Sequence, residues 1–137
     1  MLALKRVRFV GSAKDDLSAF PKAARNRAGH ELFMVQIWRR NHDMARKVTE
    51  SSGNIFLDLG FPPHEAEVML LRAKLAEALR RWMERGKLTQ AEAARRLGIS
   101  QPRVSEIVRG KVELLSLDYL VGLCAKAGIP VGVRLAA

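Results

Sequence analysis

The sequence predicts a mainly α protein: a helix-turn-helix domain of about five helices, with short β pieces at the termini. Three observations predict it. The stretch "TQAEAARRLGISQPRVSEIVRGK" (89–111) reads as two short helices around a single glycine. Before it, Val68, Leu71, Leu75, Leu79 and Trp82 recur at i, i+3, i+7, i+11 and i+14, one stripe of a long helix. The composition supplies the third. The chain has 137 residues, of which 48% are apolar, and a formal net charge of +10 with a pI of about 10.6. That length suits one domain, or a small domain with an appendage, and that charge favours a polyanionic partner, nucleic acid before an anionic membrane.

The elements follow in order. "LKRVRFVG" (4–11) alternates and holds Val and Phe, so it is a strand candidate ended by Gly11-Ser12. Ser12, Asp15 or Asp16 can cap what comes next. Leu17, Phe20, Ala24, Ala28, Leu32 and Val35 imply one or two helices between about 15 and 40, interrupted at Pro21 and Gly29. Residues 39–47 are charged and lack an apolar face, as a linker or exposed helix end would. Residues 49–67 read as a loop with an apolar insert, and Ser51 to Asn54 are turn formers. Ile55, Phe56, Leu57, Leu59 and Phe61 are too apolar for water; they either pack on this domain or dock on a partner.

From Pro63 to Arg85 the spacing predicts a helix that Pro62-Pro63 open and Gly86 closes. Thr89 with Glu92 is a capping-box pair for the next, which stops at Gly98. Ser100 caps a third, with Pro102 tolerated in its first turn and Gly110 at its end. Ser116 caps a fourth that ends at Gly128, and "IPVGVRLA" is a final strand candidate.

The pair over 89–111 has the parts of a DNA reader. Ala94 is small where two helices must approach, and Gly98 can take the positive φ of a tight corner. Leu97, Ile99, Val104 and Ile107 point toward one small core. The second helix then presents Ser100, Gln101, Arg103 and Ser105 at its N-terminal end. Gln can bond adenine and Arg guanine in a bidentate way. Arg95, Arg96, Arg109 and Lys111 suit phosphate contact, and Gln90 can meet a phosphate from a helix N-terminus. Glu106 can accept from a cytosine amine or simply face solvent.

The charge is uneven: residues 1–47 carry eleven Lys/Arg against four Asp/Glu, while 112–137 balance at zero. Other chemistry is thin. Cys124 is the only cysteine, which leaves no disulfide framework and no cysteine zinc site, and a reducing cytoplasm is the natural compartment. It is expected to be a core residue, as is Trp82. His30, His42 and His64 have no metal spacing and read as surface histidines. No apolar run approaches the roughly 18 residues of a membrane span, and that of "MLALKRVRFVG" is too short for a signal peptide. No phosphate-binding loop, nucleophile elbow or catalytic carboxylate pair is present. The expectation is no enzyme, no cofactor and no metal.

"LTQAEAARRLGISQPRVSEIVRGK" resembles the helix-turn-helix of the phage-repressor and Cro-like (XRE) regulators, in its Thr-Gln opening, Ala94, the "LGIS" turn and the "RG" exit. The resemblance implies a lambda-repressor-like fold. It implies that Gln101 and Arg103 approach base edges and that Gln90, Ser100, Arg109 and Lys111 approach the backbone. Pro102 departs from the pattern, where a base-touching polar residue is common. From about Met44 to the C-terminus, "MARKVTESSGNIFLDLGFP", the long helix, the helix-turn-helix and "GIPVGVRLA" look like an antitoxin of the HigA type. "VRFVGSAKDDLSAFPKAARNRAGHELFMVQ" (7–36) looks like the opening of a RelE/HigB-type toxin, without the later strands that hold the RNA-cutting residues of that family.

The expected organisation is therefore 1–43, a toxin-like remnant or basic appendage; 44–63, a linker with an apolar docking segment; and 64–137, the DNA-binding domain with its C-terminal strand. The expected function is a sequence-specific repressor of the antitoxin type that regulates its own toxin-antitoxin operon. It would be a cytoplasmic, nucleoid-associated homodimer on a near-palindromic operator, with a RelE/HigB-type toxin as possible partner and translation starting at Met1 or Met44. The alternatives are a toxin-sequestering module that does not touch DNA, or a relative of an endoribonuclease.

Overall fold

The computed structural model describes residues 7–38, 48–50 and 52–136. The described residues form β1 (Arg8–Val10), α1 (Ala13–Ser18), α2 (Lys22–Trp38), β2 (Val48–Glu50), α3 (Ile55–Asp58), α4 (Pro63–Arg85), α5 (Gln90–Leu97), α6 (Gln101–Val108) and α7 (Leu117–Lys126). The expected mainly α architecture is what is observed, and α3 to α7 supply its five helices. The chain divides into two compact units, Met1–Leu70 and Leu71–Ala137, and the boundary falls inside α4.

In the first unit β1 and β2 pair antiparallel, Phe9 opposite Thr49. Within the expected 4–11, Arg8–Val10 form a strand, and its partner is a stretch that reads as the edge of a loop. The candidate strand "IPVGVRLA" corrects the other way: residues 129–136 form no strand with any described residue, and Val133 and Leu135 are 85% and 86% exposed. Ser12 occupies the N-cap position of α1 without a side-chain cap bond; its hydroxyl donates to Asp16 instead, at 2.8 Å. The charged stretch 39–47 and His42 lie outside the described residues.

The apolar insert is not an open linker. Asn54 caps α3, its Oδ1 accepting from the amides of Phe56 and Leu57 at 3.0 and 3.3 Å. Ile55, Phe56 and Leu59 are fully buried, and Phe61 nearly so. Only Leu57 of the group stays exposed. The compact unit that holds this segment extends to Leu70, within α4.

Gly29 does not interrupt α2, which runs through it. A Cβ at this position would lie 2.5 Å from the Phe56 ring, so the missing side chain is what lets the ring sit against the helix. His30 is correspondingly buried, in edge-on contact with Phe56 at 5.3 Å, and is not the surface histidine expected. His64 is exposed.

α4 has the bounds the spacing predicts, but its buried face is rotated. Ala66, Met69, Leu70, Ala73, Ala76, Leu79 and Met83 are buried, whereas Leu71 is exposed and Val68 only partly covered. Small alanines carry much of this face; they let neighbouring elements approach closely, and a stripe drawn through large side chains misses them.

Helices α3 to α7 close alike. A residue two or three positions past the helix end donates its amide back to a carbonyl five positions earlier: Phe61 to Phe56, Leu88 to Met83, Ile99 to Ala94, Lys111 to Glu106 and Ile129 to Cys124, at 2.8–3.2 Å. Each closure needs one left-handed residue, and Gly60, Gly98, Gly110 and Gly128 provide it. At α4 the expected Gly86 does not: the left-handed residue is Lys87, with φ of 50°. An L-residue there costs roughly 1–2 kcal/mol, partly offset by its smaller entropy loss on folding. Lys87→Gly is therefore expected to stabilise the second unit by about 0.5–1 kcal/mol, read as a higher urea midpoint at unchanged slope. A lower midpoint would mean that the lysine side chain contributes more than its backbone costs.

The second unit has two apolar clusters. Leu79, Leu97, Ile107, Val112, Leu115, Leu120, Leu123 and Cys124 form the larger one, with Ala76. Met83, Ala93, Ala94 and Val104 form the smaller, and Trp82 and Ile99 border both. Burial pushes the Cys124 thiol up, so it is core, as expected, and a poor nucleophile. No described helix is long and apolar enough to cross a membrane, and the described residues hold no metal-binding cluster.

Candidate nucleic-acid interface

The interface is built on α5, its corner and α6. Thr89 opens α5 with a capping box: its hydroxyl oxygen accepts from the Glu92 amide at 3.2 Å, and its amide donates to Glu92 Oε2 at 2.8 Å. That amide, with the Thr89 side chain and Arg95 and Arg96 adding, holds the Glu92 carboxyl below its ordinary range. Gly98 turns the corner at φ 68°. Lys126, in the last turn of α7, donates its ammonium to the Leu97 carbonyl at 3.3 Å. This cation satisfies a terminal acceptor of α5 and ties the corner to α7.

Ala93 and Ala94 are buried where α5 meets α6, and Val104 and Ile107 are the buried residues of α6. The expected single core under the pair is in fact two: Leu97 and Ile107 belong to the larger cluster, Val104 to the smaller, and Ile99 borders both. With Val104 and Ile107 seated, the other residues of α6 are left outward or at the edge.

Ser100, Gln101 and Pro102 are exposed at the start of α6. Ser100 holds the N-cap position with extended backbone, but its hydroxyl makes no cap bond. Arg103 and Ser105 are half-exposed; Arg109, Lys111, Arg95 and Arg96 are exposed; Gln90 is half-exposed in the first turn of α5. Of the residues expected to meet DNA, Ser100, Gln101, Arg103, Ser105 and the C-cap Arg109 fall on or beside one helix, and Lys111 follows its closing glycine. Arg109 Nε donates to the Ser105 carbonyl at 3.3 Å, so this arginine also caps α6.

The sequence left Glu106 between two roles, and the structure adds a third. Arg103 Nη1 donates to Glu106 Oε2 at 3.0 Å, with side chains 42% and 39% exposed. The pair sits in water, so its worth for stability is small. It matters for the reading head, because the guanidinium expected to meet a base is engaged by a carboxylate of the same helix.

Not every cation of this region is available. Glu77, 7% exposed on α4, accepts from Arg80 Nε and Nη2 at 2.8 and 2.7 Å and from Arg81 Nε at 2.9 Å. Arg80 also pairs with Glu84, and these carboxylates raise its pKa. Two of the arginines of α4 are thereby paired within the helix. The i, i+3 and i, i+4 spacing of the four residues was the available signal.

A corner turned at a left-handed glycine, two short helices on a shared core and an exposed polar-cationic N-terminal turn define the DNA-binding helix-turn-helix class. The family comparison agrees. Residues 55–136 match the model of a helix-turn-helix domain family, more than half of the chain, and the protein belongs to that family. No curated protein and no solved structure gives a significant match.

Proposed function

We propose that the protein is a sequence-specific transcriptional repressor of the antitoxin type, with an XRE-like reading head, that regulates its own operon. The observation that carries the DNA-reading part is the exposed start of α6, where Gln101 and Arg103 stand beside Ser100, Ser105, Arg109 and Lys111. In this reading Gln101 and Arg103 address base edges. Gln90, Ser100, Arg109 and Lys111 hold phosphates, and Ser105 lies alongside. Residues 7–36 are a toxin-like segment, a RelE/HigB-type toxin is the partner class, and the compartment is the cytoplasm, at the nucleoid.

A single recognition helix reads few bases. Two of them about 34–36 Å apart read a near-palindrome, so the working unit is a homodimer. The tail past Gly128 supports this: Val131, Val133 and Leu135 alternate along it and are 41%, 85% and 86% exposed. Pairing with its symmetry mate would satisfy the backbone of such a segment. Light scattering on the full chain and on a chain ending at Gly128 is expected to give a dimer and a monomer. A full chain that is monomeric while bound to DNA would end the dimer reading.

The test of the function is a gel shift with the DNA upstream of the coding sequence. Alanine at Gln101 and Arg103 is expected to cost about 1–3 kcal/mol for each good bidentate contact and to relax base preference. Neutralising Lys111 is expected to weaken all sequences alike and to reduce the salt slope by about one unit. Unchanged operator selectivity in the double alanine variant would remove these residues from the reading head. No shift with any DNA would favour the interaction-module alternative.

A further inference from the structure

We infer that α2 occupies, within the same chain, a helix-docking face on the first residues of the family domain, so that the protein is complexed with itself at the surface where segment 55–61 would otherwise take a second chain. This goes beyond DNA binding and does not depend on it. The starting point is a mismatch of boundaries. The family match begins at residue 55, yet 55–70 fold with the N-terminal unit.

What covers them is α2 and the end of α1. Phe56 lies against Gly29 and edge-on to His30, with Phe33 buried one turn on. Arg25 Nη1 donates to the Leu59 carbonyl at 3.1 Å, near the C-terminal end of α3, and the same guanidinium lies 4.8 Å from the Phe61 ring centre. Ser18 Oγ donates to the Asp58 carbonyl at 3.4 Å, and Lys22 pairs with Glu65 at 3.0 Å.

The contact has the parts of an interface between separate proteins. Buried aromatic anchors sit at its centre, an arginine answers one carbonyl at a helix C-terminus, and a largely exposed ion pair lies at the rim. Apart from the β1–β2 pairing, the two sides are joined in sequence only through 39–47. The face accepts a helix with the pattern Arg-x3-Gly-His-x2-Phe (25–33), in which glycine is required because any Cβ meets the Phe56 ring. A separate protein can reach Phe56 only by displacing α2.

The test uses the full chain with a protease recognition sequence inserted within 39–47. After cutting, the two fragments are expected to co-elute on native size exclusion at about 1 µM, as a built interface would. A labelled copy of the N-terminal fragment is expected to exchange into the cut protein and not to bind the uncut one. Gly29→Ala should weaken the association about tenfold or more. Arg25→Gln, which adds no volume, should weaken it several-fold and guards against a folding failure of the first variant. Fragments that separate on dilution, or a labelled fragment that binds cut and uncut chains equally, would overturn the inference. DNA binding is measured in parallel on cut and uncut protein, so its loss or retention reports on the reading head alone.

Discussion

Phe56→Ala is expected to destabilise the first unit by about 3–5 kcal/mol, as for other buried Phe to Ala changes. The ring is fully buried, and it touches three positions that differ in what they lose. Gly29 would face a void where it now meets a ring, His30 would lose its edge-on partner, and Phe61, 6.3 Å away between ring centres, would lose its own. A cavity between α2 and the short α3 cannot be refilled by Gly29, which has no side chain to move. Most of the transfer and cavity cost should therefore appear. Hydrogen exchange is the measurement. Amides of α2 should lose protection while those of α5 to α7 keep theirs, because the two groups lie in different units. Unchanged α2 protection would show that the ring is not the keystone of the unit; loss across the whole chain would show that the units unfold as one.

The parts of this molecule legible in its sequence are those set by neighbours in the chain. The bounds of α4, the capping box of Thr89 and Glu92, the corner at Gly98, the N-cap position of Ser100 and the cap bond of Ser116 all follow from residues within four positions of one another, although Ser100 makes no cap bond and Lys87 rather than Gly86 turns the chain after α4. What escaped was decided at a distance. Gly29 reads as a helix breaker until Phe56 lies against it. β2 is three residues long and is a strand only because β1 lies beside it. Conversely, "IPVGVRLA" has strand composition but finds no partner strand among the described residues. The candidate interface divides in the same way. Which residues lie at the start of α6 could be read from spacing, whereas the hold of Glu106 on Arg103 is one of several rotamers the sequence permits.

Ile107→Ala is expected to cost about 2–5 kcal/mol and, through that loss, to abolish DNA binding without removing any DNA-facing group. Ile107 is 4% exposed and lies in the larger cluster with Leu79, Leu97 and Leu120, so it is one of the two residues that seat α6. The other, Val104, belongs to the smaller cluster with Ala93 and Ala94. α6 has only eight residues, too few to hold its shape in water without packing. Once its seat is emptied, the side chains of Gln101 and Arg103 have no fixed direction, and the gain expected from a preformed reading face disappears. Ile107→Val separates seating from contact: it should cost only about 0.5–1.5 kcal/mol and leave binding largely intact. The stability readout is Trp82 fluorescence during urea unfolding, since this ring borders both clusters of the unit, in a background where Trp38 is phenylalanine. If Ile107→Ala unfolds at the parent's urea midpoint yet loses DNA, the residue acts at the interface itself and the two-cluster account of how α6 is held is wrong.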